Sequence, residues 1–528
     1  MQRMPVSEEG DVSRPAGPQL DLGRILVSTT LCSMVCSLLN LAVQVAIARR
    51  VGAGPEMDAY LAASTLPQYL LNLVTTPAAS VFLPFFVVLQ TERKSDDAWH
   101  LASAVINICV AVTVVCGLSA CWLGAGTLQV VTPGLAVPTR ELAVRLGWLV
   151  WPSIAVAVLS TLLAAVCRAR EHFVRAAVVP VAGYAVNLAV VVAFGALLGI
   201  VVVPVAYLAN VLVQTALFLP SFPATRYRFT LGIAHPSLRE VVRQALPLTV
   251  SNVFSQSIGI MERAITSTMP AGCLSQLGYA NRLYLTVAAQ ISAGLPTIGF
   301  PVMARSYASE GKDSLRHDFQ ALTRAVWIVV APVMACCVVL AHPISEALLV
   351  RGAFTPADAN SVAGLLQAYS LGMAGACFGV LVGRVCYVLG RGRMVAVMGV
   401  IEVLFYAAVL PVLSGRFGVI GVALSTALLL NVAVLTYYVL LRVLLGRGSW
   451  RRMVGSLSAT GAIAGLAGAA GWYVAGLPLG AWSRTLGGAA VVLLGYAALL
   501  FFFRAAELTA LRSWLKVARE DGEEERAP

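Results

Sequence analysis

Charged residues are scarce along this chain, at 12% against 59% hydrophobic. No stretch is polar for long enough to build a soluble domain. That excludes a nucleic-acid reading, which would need the net charge of +12 gathered on one polar domain. Catalytic signatures are missing as well. There is no Gly-x-x-x-x-Gly-Lys-Ser/Thr loop, no His-Glu-x-x-His pair and no Gly-x-Ser-x-Gly elbow. ATP hydrolysis and enzymatic function of other kinds are not expected. The 11 cysteines show no Cys-x-x-Cys spacing, and all but Cys273 fall in or at the ends of apolar segments. The five histidines lie outside the centres of those segments. No disulfide framework, metal site or cofactor is therefore expected. A leading basic segment with a small-residue cleavage site is also missing, so a cleaved signal peptide is not expected.

What is present is apolar sequence, with a mean hydropathy of +0.83. A bilayer-crossing helix needs about 20 apolar residues. Runs of that length recur, and in hydrocarbon only a helix satisfies their backbone groups. The hydropathy pattern predicts an all-α polytopic membrane protein with about fourteen spans, near 25–48, 59–89, 99–124, 146–167, 174–198, 201–222, 244–268, 276–304, 325–350, 362–389, 394–414, 418–441, 453–475 and 483–503. Twenty Arg and Lys residues fall in the loops after even-numbered spans and seven in the others, from Arg49 to Arg484. Positive charge is retained on the cytoplasmic side, so both termini should be cytoplasmic.

The chain also repeats itself at an offset of 219 residues. Tyr60 and Tyr279, Pro77 and Pro296, Val166-Cys167 and Val385-Cys386, and Gly199 and Gly418 all keep this interval. Duplication divides the chain into a disordered tail (1–24), a six-helix lobe (25–222), a cytoplasmic linker (223–243), a second six-helix lobe (244–446), two added helices (447–505) and a charged tail (506–528). Such repeats commonly hold substrate between the halves, near the bilayer midplane. Six spans per copy is an even number, so the lobes should be related by an axis along the membrane normal.

Few ionisable groups sit deep, and each costs about 3 kcal/mol there on insertion scales unless it faces a cavity or a partner. Glu262 and Arg263 read as a local salt bridge or a cavity pair, with Glu262 also a candidate ion or proton site. Arg282 reads as snorkelling to the surface or as facing the cavity. Glu402 reads as an ion or proton site or an interhelical partner. Proline removes a helix hydrogen bond, and Pro67 and Pro77 in span 2 and Pro296 and Pro301 in span 8 are candidate hinges for alternating access.

Ala-Arg-Arg-Val-Gly-Ala-Gly-Pro-Glu-Met-Asp-Ala-Tyr (48–60), Cys-Arg-Ala-Arg-Glu-His-Phe with Pro180 and Asn187 beyond, Gly-Tyr-Ala-Asn-Arg-Leu (278–283), Arg-Gly-Ala-Phe-Thr-Pro-Ala-Asp-Ala (351–359) and Phe-Gly-Val-Ile-Gly-Val-Ala-Leu-Ser (417–425) stand out along the chain. Together they resemble the MurJ/MviN lipid II flippases of the multidrug/oligosaccharidyl-lipid/polysaccharide exporter superfamily. The resemblance spans roughly 28–445. It implies two lobes around a cationic cavity, helices 13 and 14 forming a lipid-tail groove, and a polyprenyl-pyrophosphate-linked saccharide as cargo in the bacterial inner membrane. Arg282, Asp58 and Pro67 match the family pattern, whereas Ser37, Val43 and Leu71 stand where the family carries cavity arginines and Gln44 where it carries an acid. The expected substrate-binding residues are Arg282, Ser37, Asn40, Gln44 and Asp58. The neutral wall favours a cargo other than lipid II, such as an exopolysaccharide or O-antigen unit, with a glycan polymerase or synthesis complex as partner. A drug/cation antiporter would show twelve spans and deep carboxylates in the first lobe. A non-transporting scaffold for cell-envelope synthesis is the other alternative.

Overall fold

The computed structural model describes residues 22–92, 94–222, 227–230, 236–293, 295–446 and 450–503. Most of the expected tails 1–24 and 506–528, and part of the expected linker, lie outside the described residues.

The first copy runs through α1 (Leu22–Val51), α2 (Pro55–Thr91), α3 (Ser95–Leu123), the short α4 (Ala125–Val131), α5 (Val137–Ala169), α6 (Phe173–Leu198) and α7 (Val202–Phe218). The second runs through α8 (Pro236–Thr266), α9 (Cys273–Ala293), α10 (Leu295–Glu310), α11 (Lys312–Val339), the short α12 (Ala341–Leu349), α13 (Pro356–Ser370), α14 (Met373–Val388) and α15 (Gly392–Leu444). Two more helices, α16 (Trp450–Ala475) and α17 (Ala481–Phe503), follow. Large side chains such as Trp122, Leu197 and Phe502 are at least 80% exposed, as expected of helices whose solvent is lipid.

Among the described residues, ten stretches are long and apolar enough to cross a membrane, Phe173–Ser221 and Arg393–Leu444 included. Each of these two folds back at a glycine. In α15, Tyr406 and Thr426 sit 3.1 Å apart through their hydroxyls although 20 residues separate them, so the two arms run antiparallel. Counting the arms separately and adding α8 and the α9–α10 pair returns the fourteen crossings. α8 is the polar one, with Ser251, Asn252, Ser255, Gln256, Glu262 and Arg263.

The duplication is visible in the backbone. Gly199 (φ 53°, ψ −133°) and Gly418 (φ 60°, ψ −141°) make the same reversal in a region that only glycine enters freely. The Val-Cys pairs close matching helix ends: His172 N–H donates to Cys167 O at 3.1 Å, and Arg391 N–H to Cys386 O at 2.9 Å. The residue before each donor is left-handed, Glu171 in one copy and Gly390 in the other. Because nothing stands within 4 Å of a Cβ at Gly199 or Gly418, valine there should cost about 1–3 kcal/mol through backbone strain alone. Thermal unfolding of Gly199→Val and Gly418→Val, with Gly415→Ala as control, checks this; variants that melt like the parent would refute it.

One boundary differs from the sequence reading. Residues 236–243, read as linker, form the first turns of α8, and Leu238 and Val241 are buried with Phe222 and Trp99 of the first copy. Apolar burial against the preceding lobe extends the helix beyond its hydrocarbon-length segment. The added helices pack mainly on the second copy, with Trp327 donating to Leu457 O (2.8 Å) and Tyr496 to Ile328 O (3.0 Å). Gly471 against Val492 and Gly488 against Leu340 let the backbones approach closely.

Candidate functional site

The two copies meet along two seams, α1 with α9 and α2 with α8. Exchanging the copies converts one seam into the other.

On α1, Ser37, Asn40 and Gln44 share one face through their i, i+3, i+7 spacing. At the first seam Gln290 donates to Ser37 Oγ at 2.6 Å, Gln44 donates to Asn40 Oδ1 at 3.4 Å, and Arg282 Nη1 donates to Gln44 Oε1. Arg282 therefore turns inward between the lobes instead of snorkelling, and the polar α1 face is its partner. At the second seam Arg263 donates to Thr65 Oγ1 at 2.9 Å and to Leu61 O at 3.5 Å, while Asn252 donates to Asn72 O at 3.1 Å.

Repeat symmetry explains these contacts. Gln44 and Arg263 occupy one repeat position, 219 residues apart, and Ala63 and Arg282 occupy another. The Gln44–Arg282 contact of the first seam thus maps onto Arg263 facing Ala63, and Arg263 does bond the residues on either side, Leu61 and Thr65. Each seam carries one arginine, supplied by a different repeat position. The two charges are close enough to influence each other, and the buried Tyr60 lies beside both. Sequence reasoning left Arg263 out of the site because Glu262 precedes it. Side chains at i and i+1 of a helix point about 100° apart, however, and do not face each other. Glu262 turns into the second lobe, where Tyr369 and Thr426 (3.3 Å) donate to its Oε1. The expected local salt bridge does not form.

Asp58 departs from its expected substrate contact. It is 4% exposed, and its carboxylate accepts the Gly272 and Ser275 amides at 2.6 and 2.7 Å. It caps the N-terminus of α9, where exposed backbone donors and the helix dipole favour an anion. This bond ties the lobes at the end where α1 meets α2. There Tyr279 also donates to Gly52 O (3.2 Å), Ala353 N–H to Arg49 O (3.0 Å) and Gly134 N–H to Ser267 Oγ (3.2 Å). Toward the other end, α2 exposes Asn72, Thr76 and Ser80 in an i, i+4, i+8 stripe beside the polar part of α8. Hydrogen bonds tie the lobes at the α1–α2 end, and exposed hydroxyl and amide side chains stand on α2 toward the other.

The remaining candidates lie apart. Glu402 is half-buried and faces Tyr437, the two arms of α15 meeting there. Pro67 and Pro77 are buried in α2, which runs through both without a break. Pro296 and Pro301 lie in α10. Val43 is 2% exposed in the core, and Leu71 is half-buried, so neither neutral position leaves an open gap.

The sequence matches the family described as "Lipid II flippase MurJ" over residues 47–486. The chain belongs to the MurJ family. It is accordingly a multi-pass membrane transporter and not an enzyme. A lipid II flippase MurJ of Burkholderia cenocepacia is 25% identical over 377 residues, covering 67% of this chain and 71% of the relative. A probable lipid II flippase MurJ of Synechocystis sp. is 25% identical over 482 residues, covering 85% and 86%. Among solved structures, a lipid II flippase MurJ in an inward closed conformation superposes with a TM-score of 0.77 at 18% identity, covering 91% of this chain and 99% of that one. A multidrug MATE-family transporter in an inward-facing conformation reaches 0.63 at 13% identity, covering 79% and 98%. These likenesses concern the fold, and the MATE neighbour covers less of this MurJ-family chain.

Proposed function

We propose that this chain flips a polyprenyl-pyrophosphate-linked saccharide of the lipid II class across the bacterial inner membrane by alternating access. Arg263 and Arg282, one from each seam and flanking Tyr60, carry this reading. A pyrophosphate cannot cross hydrocarbon unaided, and guanidinium forks bind its oxygens through paired, charge-assisted hydrogen bonds. The polar α1 face (Ser37, Asn40, Gln44) and the α2 stripe supply partners for sugar hydroxyls. The neutral positions of span 1 favoured another glycan, but Arg263 supplies a second cation from the opposite lobe and removes that reason. The basic loops put both termini in the cytoplasm, so the tied α1–α2 end faces outward and the polar cleft is loaded from inside.

Glu262, buried and held by two hydroxyls, is the group we assign to ion or proton coupling, with Glu402 as the alternative. Pro67, Pro77, Pro296 and Pro301 serve as the bending points, and a cell-envelope glycan synthesis complex receives the product. The test is replacement of an essential lipid II flippase by this gene in a depletion strain. Growth, with lipid II reaching the outer leaflet, is expected. A correctly inserted protein that leaves lipid II inside would refute the cargo assignment.

A further inference from the structure

At the α1–α2 end, the outer one on the proposed topology, α1, α6, α12 and α17 line a groove of about 400 Å³. Its floor is apolar α1 surface, Leu38 through Ala46, and three arginines stand at its head: Arg49, Arg50 and Arg351. From Leu38 to Arg49 the groove follows α1 for roughly 16 Å at 1.5 Å per residue. All three guanidiniums are exposed, and among the described residues none has a carboxylate within salt-bridge distance. This clustering is unexpected, because translocated loops are depleted in arginine.

The arginines are held in place from both lobes. Arg50 lies across α6 at Gly195, where even a Cβ would stand 3.2 Å from its Cγ, and its Nη2 reaches Val192 O at 3.5 Å. Arg49 is tied to the second lobe by the Ala353 N–H bond to its carbonyl. Arg351 donates to Ala347 O at 3.3 Å and lies 5.8 Å from the Trp482 ring centre on α17, a cation–π contact. The groove face and the polar face that meets Arg282 through Gln44 both belong to α1.

We propose that this groove is a second, outer-leaflet station for the lipid pyrophosphate, which it holds after the head leaves Arg263 and Arg282, with the prenyl chain lying along α1. The proposal rests on the cargo reading above. Charge complementarity selects the occupant. A pyrophosphate diester carries one negative charge on each of its two phosphorus atoms and offers oxygens to all three arginines. A phosphodiester phospholipid carries a single charge. Arg351 belongs to one lobe and Arg49 and Arg50 to the other, so the station forms when the lobes close at this end behind the departed head, and their next separation releases its occupant.

Native mass spectrometry of the full-length protein with undecaprenyl pyrophosphate tests this, with undecaprenyl phosphate and phosphatidylglycerol as competitors. The parent protein should bind two pyrophosphate lipids. Arg351→Ala and Arg50→Ala should each weaken one of them by about tenfold, the loss of one charge-assisted contact, while Arg351→Lys retains part of it. Arg282→Ala should remove only the other. Two tightly bound lipids in Arg351→Ala and Arg50→Ala would overturn the proposal, as would displacement by phosphatidylglycerol at equal concentration. Failure of the central cargo reading looks different: Arg282→Ala would then change nothing while the outer binding persisted. All three outer side chains are exposed, so unchanged thermal melting of the variants confirms that folding is intact.

Discussion

Arg263→Ala will slow delivery of the lipid-linked saccharide to the outer leaflet about ten- to hundredfold at normal expression, matching the loss from Arg282→Ala. Each substitution removes charge-assisted hydrogen bonds to phosphate worth about 1.5–3 kcal/mol. The lysine variants should keep part of the rate, because the point charge survives while the planar fork is lost. Combining the two alanine substitutions should abolish complementation of a flippase-depleted strain. The arginines stand at different seams, and neither replaces the other. A purely structural role for Arg263, tying α8 to Thr65, predicts the opposite pattern: Arg263→Gln, which can still bond Thr65, would transport normally. That outcome, or full activity of Arg263→Ala, would remove it from the site.

Asp58→Ala will unlock the α1–α2 end, the outer one on the proposed topology. Two buried amides of α9, those of Gly272 and Ser275, lose an anionic acceptor. Buried donors left unpaired cost about 1–3 kcal/mol each. This contact joins the two lobes at that end, so its loss should shift the population toward outward opening by at least about tenfold. The native thiol of Cys273, half-buried beside Gly272, reports the change. A membrane-impermeant maleimide added from outside should label it faster in Asp58→Ala. Asp58→Asn, which keeps one acceptor oxygen, should fall between. Identical labelling rates in all three proteins would show that Asp58 does not hold the gate.

The legible and illegible parts of this protein divide by range. The helices were legible because hydrocarbon enforces backbone pairing within each segment, so apolar length alone predicts a span. Gly199 and Gly418 were legible as a repeated pair because the reversal they make depends on their own φ and ψ. The Val-Cys pairs mark helix ends for the same local reason. Arg282 was legible through its match to the family pattern. Arg263 was not, because its acidic neighbour Glu262 suggests local neutralisation, and only the positions of α2 and the second-lobe core send the two side chains in different directions. Asp58 was misread for a related reason: nothing near it in sequence reveals that the start of α9, more than two hundred residues away, arrives at its carboxylate.

By itself the sequence determined the all-helical, membrane-spanning class, the duplicated six-helix unit with its two added helices, and the scarcity of deep charge. All three follow from composition, periodicity and spacing read within a segment or against its own copy. Tertiary structure alone decided that α1 pairs with α9 and α2 with α8, that Arg282 stands at one seam and Arg263 at the other, that Asp58 ties an end, and that Arg49, Arg50 and Arg351 share a groove. Those outcomes depend on which faces of distant helices come into contact, and helical periodicity specifies a face without naming its partner.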